Sequence, residues 1–274
     1  MKKGVIHNSK IKVHNVFLVV FLVIFIVSAW HVYSIYREYK AGANSYASIE
    51  QYVSFEQTVP TERQDEESAS SQTEPTEAIQ DDNEDILWPN VDFEALSEIN
   101  ADVVGWLYIE GTGINYPIVQ GLDNDYYLRH LFDGNYNSAG CIFLDAASKS
   151  DFSEKNNIIY GHHMKDGTMF HDLMGYKTQS FYNGHTIAML VTPASKYKIH
   201  FFSAYVASAY DSAWNVDFSD VGYEQWLQEL QNKSCIVSEF HPTAEDRVIT
   251  LSTCTYEFNN ARFVLHGVLT EYSH

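Results

Sequence analysis

The chain has 274 residues, enough for one substantial domain with appendages or for two small domains. It carries 17 Lys and Arg against 36 Asp and Glu, a formal net charge of −19. This acidic balance argues against a nucleic-acid partner, because phosphate binding needs a basic surface. Three cysteines are too few for a disulfide scaffold, and their odd number leaves at least one thiol free or paired between chains.

The first predicted element is an apolar segment near the N-terminus. Residues 16–36 begin with an uncharged run and reach about the 20 residues that a membrane-spanning helix needs. Four lysines precede the segment and two basic residues, Arg37 and Lys40, follow it closely. The excess of basic residues on the N-terminal side predicts a single-pass cell-membrane protein, with residues 1–15 in the cytoplasm and the chain after the apolar segment outside. The alternative is a signal peptide cleaved near residues 41–43, which the length of the apolar run disfavours.

An acidic segment follows, and residues 37–85 are predicted to form an extracellular stalk. The part from Ser54 to Asp85 is rich in Glu, Gln, Ser, Thr and Asp and nearly lacks large apolar side chains. Such a segment buries too little surface to offset its ordering entropy, and its like charges extend it. It is either a spacer that holds the following domain off the membrane or a dispensable linker, and the sequence does not separate these two interpretations.

Residues 86–274 have the pattern of a folded domain. Eight apolar segments, rich in β-branched and aromatic residues and bounded by turn residues, are predicted to be strands. They are residues 103–111, 114–121, 140–145, 156–163, 186–193, 197–208, 247–255 and 261–269. Helices are predicted over 91–100, 168–176 and 217–233, the last with Ser219 as its N-cap. The sequence therefore predicts a mainly β fold, a closed or nearly closed barrel of about eight strands with peripheral helices.

Two segments carry residues suited to acyl transfer. One predicted strand ends at Gly161, His162 and His163, and another ends at Cys254, with Arg262 eight residues further on. A thiolate attacks a carbonyl to give a thioester, a histidine carries the proton, and an arginine provides donors for the oxyanion. Ser252 shares a strand face with Cys254 because side chains alternate along a strand.

Each of these residues also has a structural interpretation. A cysteine in a strand is commonly a small core residue, and we predict this for Cys141 and Cys235, which a disulfide would alternatively join. Arg262 is also suited to a surface salt bridge. The tandem histidines are also suited to binding a metal or to forming half of a surface turn, but the sequence lacks the H-E-x-x-H and C-x-x-C patterns of a zinc site. We therefore predict no metal and no cofactor.

The stretches NNIIYGHHMKDGTMF (156–170) and ITLSTCTYEFNNARFVLHG (249–267) resemble the sortase superfamily, specifically class B. The shared features are the Gly-His turn, the TLxTC strand and the arginine on the next strand. The resemblance assigns the nucleophile to Cys254, the catalytic histidine to His162 and the stabilisation of substrate and oxyanion to Arg262. It places Ser252 and Thr253 beside the substrate, and it implies the closed sortase barrel.

The resemblance also implies a function. A sortase is a cysteine transpeptidase that cleaves a C-terminal sorting motif of a secreted protein after its threonine. It passes the acyl group through a thioester to an amine of peptidoglycan or its precursor. Class B members often read motifs related to NPxTN, and the insertion at 209–246 is where specificity is expected. The alternatives are a pilin-polymerising sortase, a membrane-tethered cysteine hydrolase and a non-catalytic adhesin. A Cys–His pair predicts a bell-shaped pH profile.

Overall fold

The computed structural model describes residues 4–56 and 87–272. Its first element is a single helix, α1 (Gly4–Ile49), which contains the whole predicted apolar segment and continues well past it. Within these described ranges, it is the one helix long and apolar enough to cross a membrane. An 18-residue window in it has a mean hydropathy of 2.5 and no buried share. Length and composition therefore agree with the predicted anchor.

A closed barrel forms the body of the domain. Its eight strands among the described residues are β3 (Val103–Tyr108), β4 (Asn115–Val119), β5 (Ile142–Leu144), β6 (Asn156–Tyr160), β7 (Ile187–Val191), β8 (Lys196–Ser208), β9 (Arg247–Cys254) and β10 (Ala261–Glu271). They pair in the order β10-β8-β7-β3-β4-β5-β6-β9, and β9 closes the barrel onto β10. The pairs β4–β5 and β6–β9 are parallel and the others are antiparallel. Each predicted strand segment overlaps one of these strands, with β8 beginning one residue earlier and β10 ending two residues later than predicted, so the predicted barrel is confirmed.

Side-chain alternation along β9 explains how the barrel packs. Ile249 and Leu251 belong to the main core inside the barrel, whereas Val248 belongs to a second cluster on the outer face. That outer cluster includes Trp226 and Leu230 of a helix in the 209–246 insertion. The nucleophile strand is therefore buried on both faces over most of its length, which makes it a rigid support.

Short helices lie around the barrel. The described ones are α2 (Phe93–Ile99), α3 (Gln179–Gly184) and α4 (Asp220–Lys233), with 3₁₀ turns at Glu50–Tyr52, Tyr126–Leu128, His171–Lys177 and Ser212–Trp214. The predicted N-cap of α4 is present, since Ser219 Oγ accepts from the Gly222 amide at 3.2 Å. The helix predicted over 168–176 is instead a 3₁₀ helix at His171–Lys177.

The beginning of the predicted stalk differs from an extended spacer. Tyr46 and Ile49 of α1 are buried in the main core and Tyr39 packs against it, so one helix face is docked on the domain. Strand β1 (Val53–Glu56) then pairs antiparallel with β2 (Trp88–Val91), and Glu56 is the partner of Trp88. The composition-based prediction missed this apolar stripe. Residues 57–85 of the stalk lie outside the described residues.

Candidate active site

The predicted nucleophile lies on the central strand of three. Cys254 ends β9, which runs between β6 and β10 in the barrel. Its cross-strand partner on β10 is Arg262, and cross-strand partners hold their Cβ atoms about 4.5–5.5 Å apart. On the other side, β6 is parallel to β9, with Tyr160 opposite Ser252 and the Gly161 amide 3.1 Å from the Ser252 carbonyl oxygen. Two residues beyond Tyr160, His162 therefore reaches the level of Cys254.

The imidazole of His162 is held by a main-chain carbonyl. Its Nε2 lies 2.7 Å from the carbonyl oxygen of Leu128, at the end of the 3₁₀ turn before β5. A carbonyl only accepts hydrogen bonds, so Nε2 carries the proton and Nδ1 of the neutral ring is the basic nitrogen. His162 is half-buried, and its main-chain carbonyl accepts a hydrogen bond from the Phe170 amide at 2.9 Å. This tautomer leaves Nδ1 available for a proton from the reaction.

The neighbouring His163 occupies a different environment. Its ring lies 5.0 Å from the ring of His171 and 6.0 Å from that of Tyr256. Its buried Nδ1 has no hydrogen-bond partner among the described residues. Desolvation lowers the pKa of His163, and His171 lowers it further, whereas the Cys254 backbone opposes the shift. Both tandem histidines thus lie near the nucleophile: the ring of His162 is held by the Leu128 carbonyl, whereas the ring of His163 faces the backbone of Cys254.

Arg262 is available to a bound substrate. Its guanidinium is half-buried, and Nη1 donates to the carbonyl of Ala261 at 3.0 Å. It makes no ion pair with any acidic residue in the part of the chain that the structure describes. Its remaining donors can therefore meet a developing oxyanion beside Cys254.

The two predicted substrate-contacting residues point to opposite sides of the strand. Ser252 shares the outer face with Cys254 and is 2% exposed, so it lies beneath the site. Thr253 faces the interior opposite Phe263, and its buried Oγ1 has no partner among the described residues. The strand itself separates the Thr253 side chain from the outer face, and only its backbone is close to the site.

The loop after the nucleophile is tied to the barrel by residues that the sequence did not single out. Lys177, at the end of a 3₁₀ turn, forms an ion pair with Glu257, and Thr255 Oγ1 donates to the same carboxylate. These hydrogen bonds lower the pKa of Glu257 to about 2. No local sequence motif indicates the ion pair, because Lys177 and Glu257 are 80 residues apart. None indicates the Leu128 carbonyl either, because it is a backbone group.

The other two cysteines differ from one another. Cys141 is buried in the main core, as predicted, and burial raises the pKa of its thiol to about 12. Cys235 was also predicted to be a core residue, and this is wrong: it is exposed, in the irregular segment after α4 rather than in a strand. Both are free thiols.

Comparisons with known proteins match the barrel domain. The sortase-domain family model matches residues 107–270. Sortase B of Staphylococcus aureus (strain NCTC 8325 / PS 47) is 42% identical over 163 residues, which are 59% of this chain and 67% of that protein. A structure of the S. aureus sortase B–substrate complex superposes with a TM-score of 0.63 at 39% identity, covering 66% of this chain and 85% of that one. A crystal structure of sortase B complexed with triglycine gives a TM-score of 0.63 at 39% identity, with 66% and 86% covered.

Proposed function

The chain belongs to the sortase family, within its class B, and is a cysteine transpeptidase; we propose that Cys254 is its nucleophile, with His162 as acid and base and Arg262 as oxyanion donor. The observation that carries this assignment is the strand register. Arg262 is the cross-strand partner of Cys254 on β10, and His162 lies two residues beyond the end of β6, on the other side of the Cys254 strand.

The reaction follows from this arrangement. Cys254 passes its thiol proton to Nδ1 of His162, the resulting thiolate attacks the carbonyl carbon of the substrate threonine, and Arg262 donates hydrogen bonds to the oxyanion that forms. His162 protonates the leaving amine, the C–N bond breaks and a thioester remains. A neutral acceptor amine then attacks the thioester carbonyl, its nitrogen loses a proton to His162 as the new C–N bond forms, and the thiolate leaves. The product is a new amide bond between the substrate and the acceptor.

The proposed substrates are secreted proteins with a C-terminal sorting motif, cleaved after threonine. The proposed acceptor is an amine of peptidoglycan or its precursor. Relatives support both, because one sortase B structure contains substrate and another contains triglycine. Helix α1 anchors the enzyme in the membrane, with its N-terminus in the cytoplasm and the barrel outside. This orientation follows from the distribution of lysines around the apolar segment.

The test uses the full chain in detergent micelles with peptides that vary around NPxTN and with triglycine as the amine. Mass spectrometry should detect an acyl adduct on Cys254 and an amide product joined to triglycine. Cys254→Ala should abolish both, whereas Cys235→Ala, which removes another thiol that is not buried, should retain them. Free acid as the sole product would identify a hydrolase, and equal behaviour of Cys254→Ala and wild type would refute the nucleophile.

The tandem histidines provide a matched pair of variants that tests the role of His162 as acid and base. We expect His162→Ala to lower kcat/KM by about 10²-fold or more, the usual contribution of a general acid and base. His163→Ala removes the same side chain one residue away and should cost about tenfold or less. A larger loss for His163→Ala than for His162→Ala would show that His163, and not His162, transfers the proton.

A further inference from the structure

The C-terminal part of α1 contacts the segment that leads to β5. The hydroxyl of Tyr46 donates to the Gly140 carbonyl oxygen at 2.5 Å, and the Tyr46 side chain is only 8% exposed. Further up the helix, the Glu38 carbonyl accepts from Asn137 Nδ2 at 2.8 Å, and a Glu38 carboxylate oxygen accepts from the Ser138 amide at 2.9 Å. The helix is therefore fixed to this segment by directional bonds as well as by apolar packing.

Gly140 in turn lies against the peptide that holds His162. Its φ is +60°, and a Cβ placed there would lie 2.5 Å from the Tyr127 carbonyl oxygen and 2.9 Å from that of Leu128. The next amide, of Cys141, donates to the Tyr127 carbonyl at 2.8 Å. The Leu128 carbonyl accepts from His162 Nε2 at 2.7 Å. Three consecutive contacts thus lead from the helix to the imidazole.

A second route leads from the same tyrosine to the main chain of His162. The ring of Tyr46 meets the ring of Tyr116 edge-on, with centroids 5.2 Å apart. The Tyr116 hydroxyl accepts from the Met169 amide at 3.1 Å, and the adjacent Phe170 amide donates to the His162 carbonyl at 2.9 Å. Tyr46 therefore supports both segments between which His162 is held.

We propose that Tyr46 is a positioning residue for His162, so that the membrane helix itself forms part of the active-site support. This inference rests on the proposed role of His162. It assigns to α1 a function beyond tethering, because a change at the docked helix face alters the orientation of the imidazole. The effect falls on the proton-transfer steps and not on the binding of the sorting peptide.

The experiment compares Tyr46→Phe with wild type in the full chain in micelles. The variant keeps the ring that packs on Tyr116 and loses the hydroxyl, with its bond to Gly140 and its contact with the Cys141 thiol. We expect kcat to fall about fivefold, the usual effect of one neutral hydrogen bond, with an unchanged KM for the sorting peptide. Tyr39→Phe is the matched control, since its ring packs on the same core and its hydroxyl has no hydrogen-bond partner within the described residues. It should leave kcat unchanged.

Two further measurements separate positioning from general stability. In a His162→Ala background, Tyr46→Phe should cause no additional loss of the residual rate, and an equal fivefold loss there would overturn the proposal. With ¹⁵N-histidine labelling, Tyr46→Phe should shift the His162 Nε2 resonance and Tyr39→Phe should not. An unshifted resonance would overturn the proposal. The resonance is measured without turnover, so it tests the positioning role of Tyr46 separately from the catalytic role of His162.

Discussion

The buried His266 makes the stability of the barrel dependent on pH. Its side chain, on β10, is fully buried among Tyr205, Phe202 and Trp226, whose rings lie 5.5, 6.3 and 6.2 Å away. Its Nδ1 lies 2.9 Å from Thr250 Oγ1, which donates its own proton to Asn156 Oδ1 at 2.6 Å.

This network fixes the tautomer of His266. Because the Thr250 proton is used on Asn156, Nδ1 of His266 must carry the hydrogen, and Nε2 has no partner among the described residues. A second proton would have to be placed on Nε2 among aromatic rings. Burial therefore lowers the pKa of His266 to about 3, with Asp211 raising it and Lys233 lowering it as smaller effects.

The size of the effect follows from linkage. In the unfolded chain the imidazole titrates near pH 6.5, so below that pH the unfolded state binds a proton that the folded state does not bind. The contribution of neutral His266 to the free energy of unfolding is complete above about pH 6.5. As the pH falls from there towards 3, it is lost at about 1.4 kcal/mol per pH unit. Between pH 7.5 and 5.0 the loss amounts to about 2 kcal/mol.

The perturbation is His266→Gln, which keeps a polar side chain and removes the titration. Urea unfolding of the full chain in micelles, followed by tryptophan fluorescence at pH 7.5 and 5.0, measures the free energy of unfolding. Wild type should lose about 2 kcal/mol more than the variant over this interval. His241→Gln, at an exposed histidine, should behave like wild type. An equal pH dependence for wild type and His266→Gln would refute the reasoning.

Two more predictions concern the site. Thr253→Val replaces the unpaired interior hydroxyl opposite Phe263 with a methyl group, so it should stabilise the fold by about 1 kcal/mol in urea unfolding. It should also keep the wild-type kcat, and a large loss of activity would show that this hydroxyl acts in the site. Gly140→Ala should lower kcat by pushing its new Cβ against Leu128. Gly134→Ala should not, although its φ is also positive at +78°, because its Cβ would meet no atom closer than 3.9 Å. An equal loss of kcat in the two variants would show that backbone strain alone is responsible, and an unchanged kcat in Gly140→Ala would contradict the prediction.

The barrel was predictable because its strands carry their own signals. The segment 247–255 is apolar and rich in β-branched residues, which predicts a strand, and the structure has β9 there. The N-cap of α4 at Ser219 was predictable for the same reason, since a cap depends on neighbouring residues. Local patterns thus determine the elements that position Cys254.

Contacts between distant segments could not be predicted. The Leu128 carbonyl that orients His162 is a backbone group, which any residue at that position supplies. The choice between His162 and His163 came from resemblance, because both follow the same strand and have the same chemistry. The docking of α1 also escaped prediction, since the apolar residues of its docked face are sparse among polar ones and only the barrel surface gives them a partner.

The unbroken α1 sets a height above the bilayer. Tyr46 follows the end of the apolar run at Tyr36 by ten residues, and at 1.5 Å per residue the docking point lies only about 15 Å further along the helix axis. If residues 16–36 span the membrane, the barrel rests close to the lipid headgroups. Glu56 and Trp88 are paired, so the acidic residues between them add nothing to this height. At this height the barrel would face amines that are themselves held at the membrane, and we therefore expect the proposed acceptor to be a peptidoglycan precursor rather than a cross-bridge in the wall.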